Sequence, residues 1–278
     1  MGTINIQLTN GFGNNLFQYI AARQLSQFLE SELFVIPPNS SYYAIPDLEA
    51  MDIKISQRKV EEGAVLINDI NYASSFSEEM KGKNIIMSGY FENYKYYVKN
   101  IDMIKSWFPK VKVRQDNDLV LHFRGGDRLF YKNGFGSKPS VNSFLNAINK
   151  FDFNKLHIVT DMPFWRHASS LELSKTKFHY DAPANIRVDI RESTEYFNSI
   201  VDGLSSFDPI VKHGSVGEDF NYIRTFKNIL FEHGTLSWWA SVLSDADKVG
   251  VYGPWRPWKG TSNKNLSSVP IKNWFKWE

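Results

Sequence analysis

The residues best suited to chemistry follow a short apolar run in the middle of the chain. The run at 119–123 predicts a buried strand, and Arg124, Gly125, Gly126 and Asp127 follow it directly. An arginine at a strand end can direct its planar guanidinium at a phosphate, while glycines let the backbone approach the same ligand. Ligands bind at these strand ends in open α/β sheets. The pattern predicts a diphosphate held between two halves of the molecule, with a surface ion pair of Arg124 as the alternative.

A second glycine-containing loop follows the first predicted strand, near the N-terminus. It contains Gly11, Phe12, Gly13 and Asn14 and leads into a helical pattern. The third glycine of the dinucleotide-binding fingerprint is missing, so the loop does not predict that cofactor. Its backbone amides can still approach an anion at the start of the helix.

Three further positions have a functional and a structural interpretation. His122 lies inside the apolar run, where a histidine satisfied within the core is the usual case. Asp127 can accept a proton or a hydroxyl hydrogen bond, or it can be a turn or helix-cap aspartate. Residues 234–237 (Gly-Thr-Leu-Ser) begin a predicted helix, whose amides and hydroxyls can hold a phosphate or simply cap the helix.

The elements that must position these residues alternate between strands and helices. Predicted strands lie at 4–8, 33–36, 85–90, 119–123, 156–159 and 248–252, and predicted helices at 16–29, 95–108, 144–150, 219–230 and 237–243. Asp219 is the predicted N-cap of the fourth helix, and the tail from Gly253 is predicted to be a closing loop. The alternation predicts an α/β fold with parallel sheets. A polar stretch at 110–118 divides the chain into predicted domains 1–115 and 116–278.

Composition excludes several classes of protein. Lys and Arg total 32 against 30 for Asp and Glu, and no basic stripe of a nucleic-acid-binding protein is visible. The chain has no cysteine, which excludes disulfides and thiolate nucleophiles. It has no recognisable metal-binding motif, so no metal cofactor is expected. No apolar stretch approaches the roughly 20 residues of a membrane span, and no signal peptide is apparent, so a cytoplasmic protein is expected.

Five segments together resemble the GDP-fucose-dependent α-1,2-fucosyltransferase family. Residues 10–19 resemble its G-G-L-G-N-Q-M-F-Q-Y opening, and residues 88–97 resemble its S-G-Y-F-Q-S-x-K-Y-F segment. Residues 122–127 are similar to H-x-R-R-G-D, and residues 159–165 to F-S-D-D-x-x-W. Residues 219–241 resemble a helix that leads to N-S-T-F-S-W-W-A-A. The segments occur in the family's order from one end of the chain to the other.

The resemblance implies a GT-B fold, in which two Rossmann-like domains face each other across a donor-binding cleft. It implies an inverting transfer of L-fucose from GDP-fucose to a hydroxyl of a glycan acceptor, without a metal. Arg124 would stabilise the departing GDP, and Asp127 is the expected base, so these two are the expected catalytic residues. The donor-binding residues it implies are Gly13, Asn14, His122, Asp161, Thr235 and Ser237. Their neighbours in the same two loops, Gly11, Phe12, Gly234 and Leu236, are also expected to bind the donor.

The sequence also departs from the family pattern. The second arginine of H-x-R-R-G-D is Gly125, the Asn-Ser before the threonine is His233-Gly234, and the glutamine of the opening motif is Asn15. A glycosyltransferase that uses another GDP- or UDP-sugar is therefore an alternative. A non-catalytic carbohydrate-binding protein is another, since aromatic faces stack on sugars and four tryptophans lie near the C-terminus. These are Trp255, Trp258, Trp274 and Trp277.

Overall fold

The computed structural model describes residues 1–9, 11–56, 63–125, 138–162, 190–253 and 273–278. The chain forms two compact units. Unit 1 comprises Met1–Lys110 with Val216–Glu218, and unit 2 comprises Val111–Ser215 with Asp219–Glu278. The change from one unit to the other at Lys110 falls at the start of the polar stretch 110–118.

Unit 1 contains a four-stranded parallel sheet. Its strands are β1 (Thr3–Gln7), β2 (Glu32–Ile36), β3 (Val65–Ile67) and β4 (Ile85–Met87), in the spatial order β2-β1-β4-β3. Ile4, Ile6, Ile85 and Met87 are completely buried, because the two central strands are covered on both faces. The helices are α1 (Phe12–Leu29), α2 (Ile45–Glu49) and α3 (Ile101–Lys105).

The helix predicted at 95–108 is much shorter in the structure. Two 3₁₀ turns, Tyr94–Tyr96 and Val98–Asn100, precede α3. Asn93 accepts a hydrogen bond from the Lys95 amide at 3.2 Å, and the Tyr97 hydroxyl donates to the Phe91 carbonyl. These local bonds compete with a continuous helix, so the apolar spacing of the segment was misleading.

Unit 2 contains a six-stranded parallel sheet. Its strands are β5 (Leu119–Phe123), β6 (Leu156–Thr160), β7 (Ile210–Lys212), β8 (Asn228–Phe231), β9 (Lys248–Tyr252) and β10 (Trp274–Trp277). The spatial order is β10-β9-β8-β5-β6-β7, and every pairing is parallel. Read from β7, this is the 3-2-1-4-5-6 order of the doubly wound Rossmann arrangement. The predicted α/β class with parallel sheets is confirmed.

Helices of unit 2 connect these strands. They are α4 (Val141–Ile148), α5 (Ile190–Gly203), α6 (Val216–Arg224) and α7 (Thr235–Val242), with the first three residues of α6 grouped with unit 1. Alternation along β5 places Leu119, Leu121 and Phe123 in one core cluster, together with Phe144 of α4 and Phe197 of α5. Within the part of the chain described, no helix has both the length and the apolar character to cross a membrane.

The prediction of a helix over 219–230 was wrong for the residues after Arg224. The helix ends at Arg224, and the fully buried run 228–231 forms β8, which pairs with β5. Phe226 and Leu230 fit a helical period by coincidence, since a four-residue apolar run is compatible with a buried strand as well. Asp219 therefore lies within the first turns of α6 rather than at its N-cap. The tail also contains β10, where only a loop was predicted.

Leu230 tests the importance of β8 as a central strand. Its side chain is completely buried in the core cluster of unit 2, so Leu230→Ala should lower the free energy of unfolding by about 2–5 kcal/mol. Ile210→Ala is the control, because Ile210 lies on edge strand β7 with 44% exposure and should change stability by about 0.5 kcal/mol or less. Urea unfolding followed by tryptophan fluorescence measures both. Equal losses would contradict the central position of β8.

Candidate functional site

The candidate site lies at the carboxyl edge of the unit 2 sheet, where the strand order reverses. From β5 the chain continues to β6 and β7 on one side, and then crosses to β8 on the other side. Phe123 pairs with Thr160, and His122 pairs with Phe231. The residues that follow these three strands are therefore neighbours. In doubly wound sheets this reversal point is where ligands bind.

Asp161 joins the ends of β5 and β6. Its Oδ1 accepts a hydrogen bond from the Gly125 amide at 2.7 Å, and its Oδ2 pairs with Nη1 of Arg124. The side chains of Arg124 and Asp161 are 29% and 27% exposed. The arginine is thus paired with a carboxylate, as the alternative interpretation had it, but the pair is open to solvent on one side.

Gly125 is packed too closely for a larger residue. A Cβ at this position would lie 2.2 Å from Cγ and 2.4 Å from Sδ of Met162, which are shorter than any van der Waals contact. An arginine here, as in the resembling motif, would require Met162 to move. The glycine that replaces the motif's second arginine therefore occurs where Met162 packs against the backbone of residue 125.

The start of α7 lies beside Arg124. Alternation along β5 directs His122 and Arg124 to the same side of the sheet. Gly234, the N-cap of α7, has φ of 114° and ψ of 138°, a conformation that glycine adopts without strain. A Cβ on Gly234 would lie 3.8 Å from Cγ of Arg124, so the aliphatic part of the arginine packs along the helix start. A glycine cap supplies no side-chain acceptor for the first amides of the helix.

His122 and Ser237 fix α7 against β5. His122 Nδ1 hydrogen-bonds the Ser237 hydroxyl, which also donates to the His233 carbonyl at 3.4 Å. Burial, and secondarily the positive charge of Arg124, lower the pKa of His122 to about 3, so the imidazole is neutral. Ser237 is completely buried. Both side chains are buried, and their hydrogen bond holds the start of α7 against β5.

The loop between β8 and α7 contains a buried pair that sequence analysis did not identify. Glu232 and His233 are both buried, and Oε2 of Glu232 lies 3.6 Å from Nδ1 of His233. His233 and Gly234 occupy the positions of the family's Asn-Ser. The histidine that replaces the asparagine is thus the one that pairs with Glu232. Thr235 and Leu236, at the start of α7, are half-buried.

Asp219 is a second residue that sequence analysis assigned only to a helix cap. It is buried, and its Oδ1 has no hydrogen-bond partner within the described ranges. Burial raises its pKa to about 6, with a weaker opposing effect from the amide of Gly214. Its Oδ2 lies 3.9 Å from Nδ1 of His213, which in turn hydrogen-bonds the Thr160 carbonyl at the end of β6 at 2.9 Å. A buried carboxyl group therefore lies near the ends of β6 and β7.

The glycine loop of unit 1 is held by a polar network of its own. The Tyr42 hydroxyl accepts from the Gly11 amide at 2.9 Å and donates to Oδ1 of Asn15 at 2.7 Å. Gln18 accepts from the Thr9 amide at 3.0 Å and donates to the Gly89 carbonyl at 2.8 Å, which joins the ends of β1 and β4. The network predicts a rigid loop.

The N-cap of α1 is also a glycine, and its backbone conformation is similar to that of the N-cap of α7. Gly11 has φ of 103° and ψ of 114°. Phe12 and Gly13 are buried, whereas Gly11 and Asn14 are partly exposed. Only the latter two present surface that a ligand can reach.

The structure brings together five of the predicted residues in unit 2. These are His122, Arg124, Asp161, Gly234 and Ser237. Asp127 lies outside the described residues, and so do Trp255 and Trp258. Trp277 is buried against Phe144 and donates to the Phe231 carbonyl at 3.2 Å, while Trp274 packs on Phe231. Trp277 therefore belongs to the core, whereas Trp274 is partly exposed.

Comparison of the chain with protein-family models gives no match, and comparison with curated proteins gives none either. Among the described side chains, no three or more histidine or carboxylate groups are arranged to hold a metal ion. The geometry of the site and the sequence motifs are therefore the features from which the function is inferred.

His122 makes stability depend on pH in a defined direction. It is neutral in the folded protein at all pH values above about 3, but it binds a proton below about pH 6.5 in the unfolded chain. The contribution of His122 to the free energy of unfolding is greatest above pH 6.5. It decreases by up to about 1.4 kcal/mol per pH unit as the pH falls below that value.

His122→Gln removes this titration. The difference in unfolding free energy between wild type and variant should shrink as the pH is lowered from 6.5 to 5, measured by urea unfolding. Asp219 contributes with the opposite sign, because its raised pKa stabilises the protein below pH 3.8 and loses this effect as the pH rises through 6. Taking the difference between the two proteins cancels that contribution. A difference that is constant with pH would contradict a neutral, buried His122.

Proposed function

We propose that this protein is an inverting, metal-independent glycosyltransferase that transfers a sugar from a nucleotide diphosphate to a hydroxyl group of a glycan acceptor. L-Fucose from GDP-fucose is the proposed donor, as the resemblance of five ordered segments implies. The proposal includes a fold of the GT-B type with the nucleotide sugar bound to unit 2. The observation that carries it is the position of Arg124 beside the glycine-capped start of α7, at the reversal point of a Rossmann-ordered sheet.

These groups suit a leaving diphosphate. In the proposed displacement, the acceptor oxygen bonds to the anomeric carbon while the bond from that carbon to the β-phosphate oxygen breaks. The bonding electrons remain on the phosphate oxygen, where negative charge accumulates. A guanidinium and helix-start amides that are already oriented stabilise such charge without reorganisation.

The proton of the acceptor hydroxyl must pass to a base. Asp127 is the proposed base, as the residue that matches the aspartate at the end of H-x-R-R-G-D. Its carboxylate would act after donor binding, when the departing phosphate draws the sugar toward oxocarbenium character. Asp161 is less suited to this step, because both of its oxygens are engaged by Arg124 and Gly125.

Asp219 favours a guanine nucleotide over a uracil nucleotide. A buried carboxyl oxygen that has no partner among the described residues gains most from a ligand that displaces the atoms covering it and brings N–H donors. The Watson–Crick edge of guanine presents two adjacent donors, at N1 and N2, whereas uracil presents a single N–H between two carbonyl oxygens. This favours the GDP-sugar over the alternative UDP-sugar, provided that the base lies over the ends of β6 and β7.

Arg124 provides the most direct test of the proposed mechanism. Arg124→Ala should lower the rate of nucleotide-sugar turnover by about 10²–10³-fold, the usual cost of removing a group that stabilises developing charge. Arg124→Lys should lose nearly as much, because lysine keeps the charge but not the planar, two-point fork. The assay is hydrolysis of GDP-fucose and of a panel of other GDP- and UDP-sugars, which requires no acceptor. Wild-type rates for the lysine variant would remove Arg124 from this role.

Asp219 provides the test of donor choice. Asp219→Ala should weaken GDP binding about tenfold or more, since it removes a hydrogen bond between a charged group and the base. UDP binding should not change. Isothermal titration of both nucleotides measures this, and thermal unfolding of the free variant identifies any loss of binding that results from misfolding. Equal effects on GDP and UDP would contradict recognition of guanine by Asp219.

A further inference from the structure

One exposed aromatic residue in unit 1 lies on a firmly anchored piece of backbone. Tyr90 lies just beyond the end of β4, and its side chain is 39% exposed. Phe91, which follows it, is completely buried and packs against Tyr72 with ring centroids 5.2 Å apart. Two consecutive residues thus place one aromatic ring at the surface and the other in the core.

A carboxylate fixes the backbone at this point. The two oxygens of Asp69 accept from the Tyr90 amide at 3.0 Å and from the Phe91 amide at 2.6 Å. Gly89 permits this approach, since a Cβ there would lie 2.4 Å from Oδ2 of Asp69. Charge-assisted bonds of this kind are about twice as strong as neutral ones, so the loop is well anchored.

The anchored backbone is also strained. Phe91 has φ of 55°, in the left-handed region that a bulky side chain rarely adopts. The Tyr97 hydroxyl holds the Phe91 carbonyl from the other side. A left-handed non-glycine residue costs of order 1–3 kcal/mol and is found most often where geometry serves a function.

The position of Tyr90 suggests what that function is. Gln18 joins the Gly89 carbonyl to the Thr9 amide, so the Tyr90 loop and the loop preceding α1 lie side by side at the carboxyl edge of the unit 1 sheet. The strand order reverses here too, because β1 is followed by β2 on one side and has β4 on the other. This is the sheet edge at which an α/β unit binds ligands.

We propose that Tyr90 is the stacking platform of a subsite for the glycan acceptor, occupied by a pyranose ring of an uncharged oligosaccharide. The ring supplies a flat apolar face with a hydroxyl at its end, which matches the C–H-rich face and the peripheral hydroxyls of a pyranose. Ser88, which precedes it by two residues, is exposed and offers another hydroxyl. That the bound sugar is the acceptor rests on the proposed function, whereas sugar binding at Tyr90 does not depend on it.

The charges around the loop favour an uncharged sugar. The carboxylate of Asp69 accepts a hydrogen bond from the Tyr90 amide and is therefore close to this residue. A carboxylate near the ring repels anionic groups, so a sugar carrying a carboxylate should be excluded. This separates the inference from a general sugar-binding surface.

The test measures sugar binding directly, without nucleotide, on the full chain. The probes are lactose, cellobiose and N,N′-diacetylchitobiose as uncharged disaccharides, and 3′-sialyllactose as the anionic counterpart, observed by saturation-transfer NMR and titration. Tyr90→Ala should weaken binding of the uncharged sugars about tenfold or more, as expected for removal of an aromatic contact residue. Tyr90→Phe should keep binding within about threefold, since it preserves the ring face. Binding of 3′-sialyllactose should be much weaker throughout.

Phe28→Ala is the matched control. Phe28 has the same 39% exposure but lies one residue from the end of α1, about 24 Å along the helix from its start. Sugar affinity should not change in this variant. Thermal unfolding of all variants identifies any loss that results from misfolding, and GDP binding should be equal in all of them.

The outcomes separate this inference from the proposed function. Failure of every uncharged sugar to bind the wild type, or unchanged affinity in Tyr90→Ala, overturns the inference even if GDP binds. Tyr90-dependent sugar binding without any nucleotide binding supports the subsite and overturns the proposed function. Loss of sugar and GDP binding together in Tyr90→Ala, with normal folding, also counts against a separate acceptor subsite.

Discussion

The bond network around the Asp161 carboxylate determines the geometry of the candidate site. One oxygen binds the Gly125 amide and the other binds the Arg124 guanidinium, so a single side chain fixes both the backbone turn after β5 and the arginine that follows it. Ion pairs at partly exposed positions contribute little to stability, typically about 0.2–1 kcal/mol. The value of this pair is therefore positional: it restricts the arginine before a ligand arrives, and a strongly charged diphosphate can share the guanidinium.

The same turn explains a departure from the family motif. Asp161 draws the Gly125 amide toward β6, and Met162, the next residue, then lies against the Cα of Gly125. A side chain at position 125 would collide with Met162. On the proposed function, Arg124 and the first amides of α7 together provide the electrostatic stabilisation. The glycine at 234 suits this role, since it brings no side-chain acceptor of its own to those amides.

Much of the fold could be predicted from the sequence because its strands are short, apolar and regularly separated. β1, β2, β5, β6 and β9 were predicted within a few residues, and their parallel arrangement follows from the helices between them. β8 could not be separated from α6, because the spacing of Phe226 and Leu230 fits both a helix and a strand. Only the pairing of β8 with β5, a contact more than 100 residues apart in sequence, decides between them.

Some residues of the candidate site could likewise be predicted from the sequence, and others could not. Arg124 and Gly234 could be found from their places after strands and before a helix, and they do lie together. The roles of His122 and Ser237 could not, since their mutual hydrogen bond depends on how α7 packs on β5. Asp219 and the Glu232–His233 pair went unnoticed for the same reason: a carboxylate becomes informative only when it is known to be buried.

Electrostatics connects these buried groups to the exposed arginine. A protonated His122 would place a second positive charge next to Arg124 in a buried region, and burial lowers the pKa of His122 to about 3. The imidazole is therefore neutral and acts as a hydrogen-bonding partner that holds Ser237 and the start of α7. On the proposed function this is an advantage, because the helix start and the Arg124 guanidinium keep their positions while charge accumulates on the leaving phosphate. A site that had to reorganise its own protons during the reaction would lose part of that stabilisation.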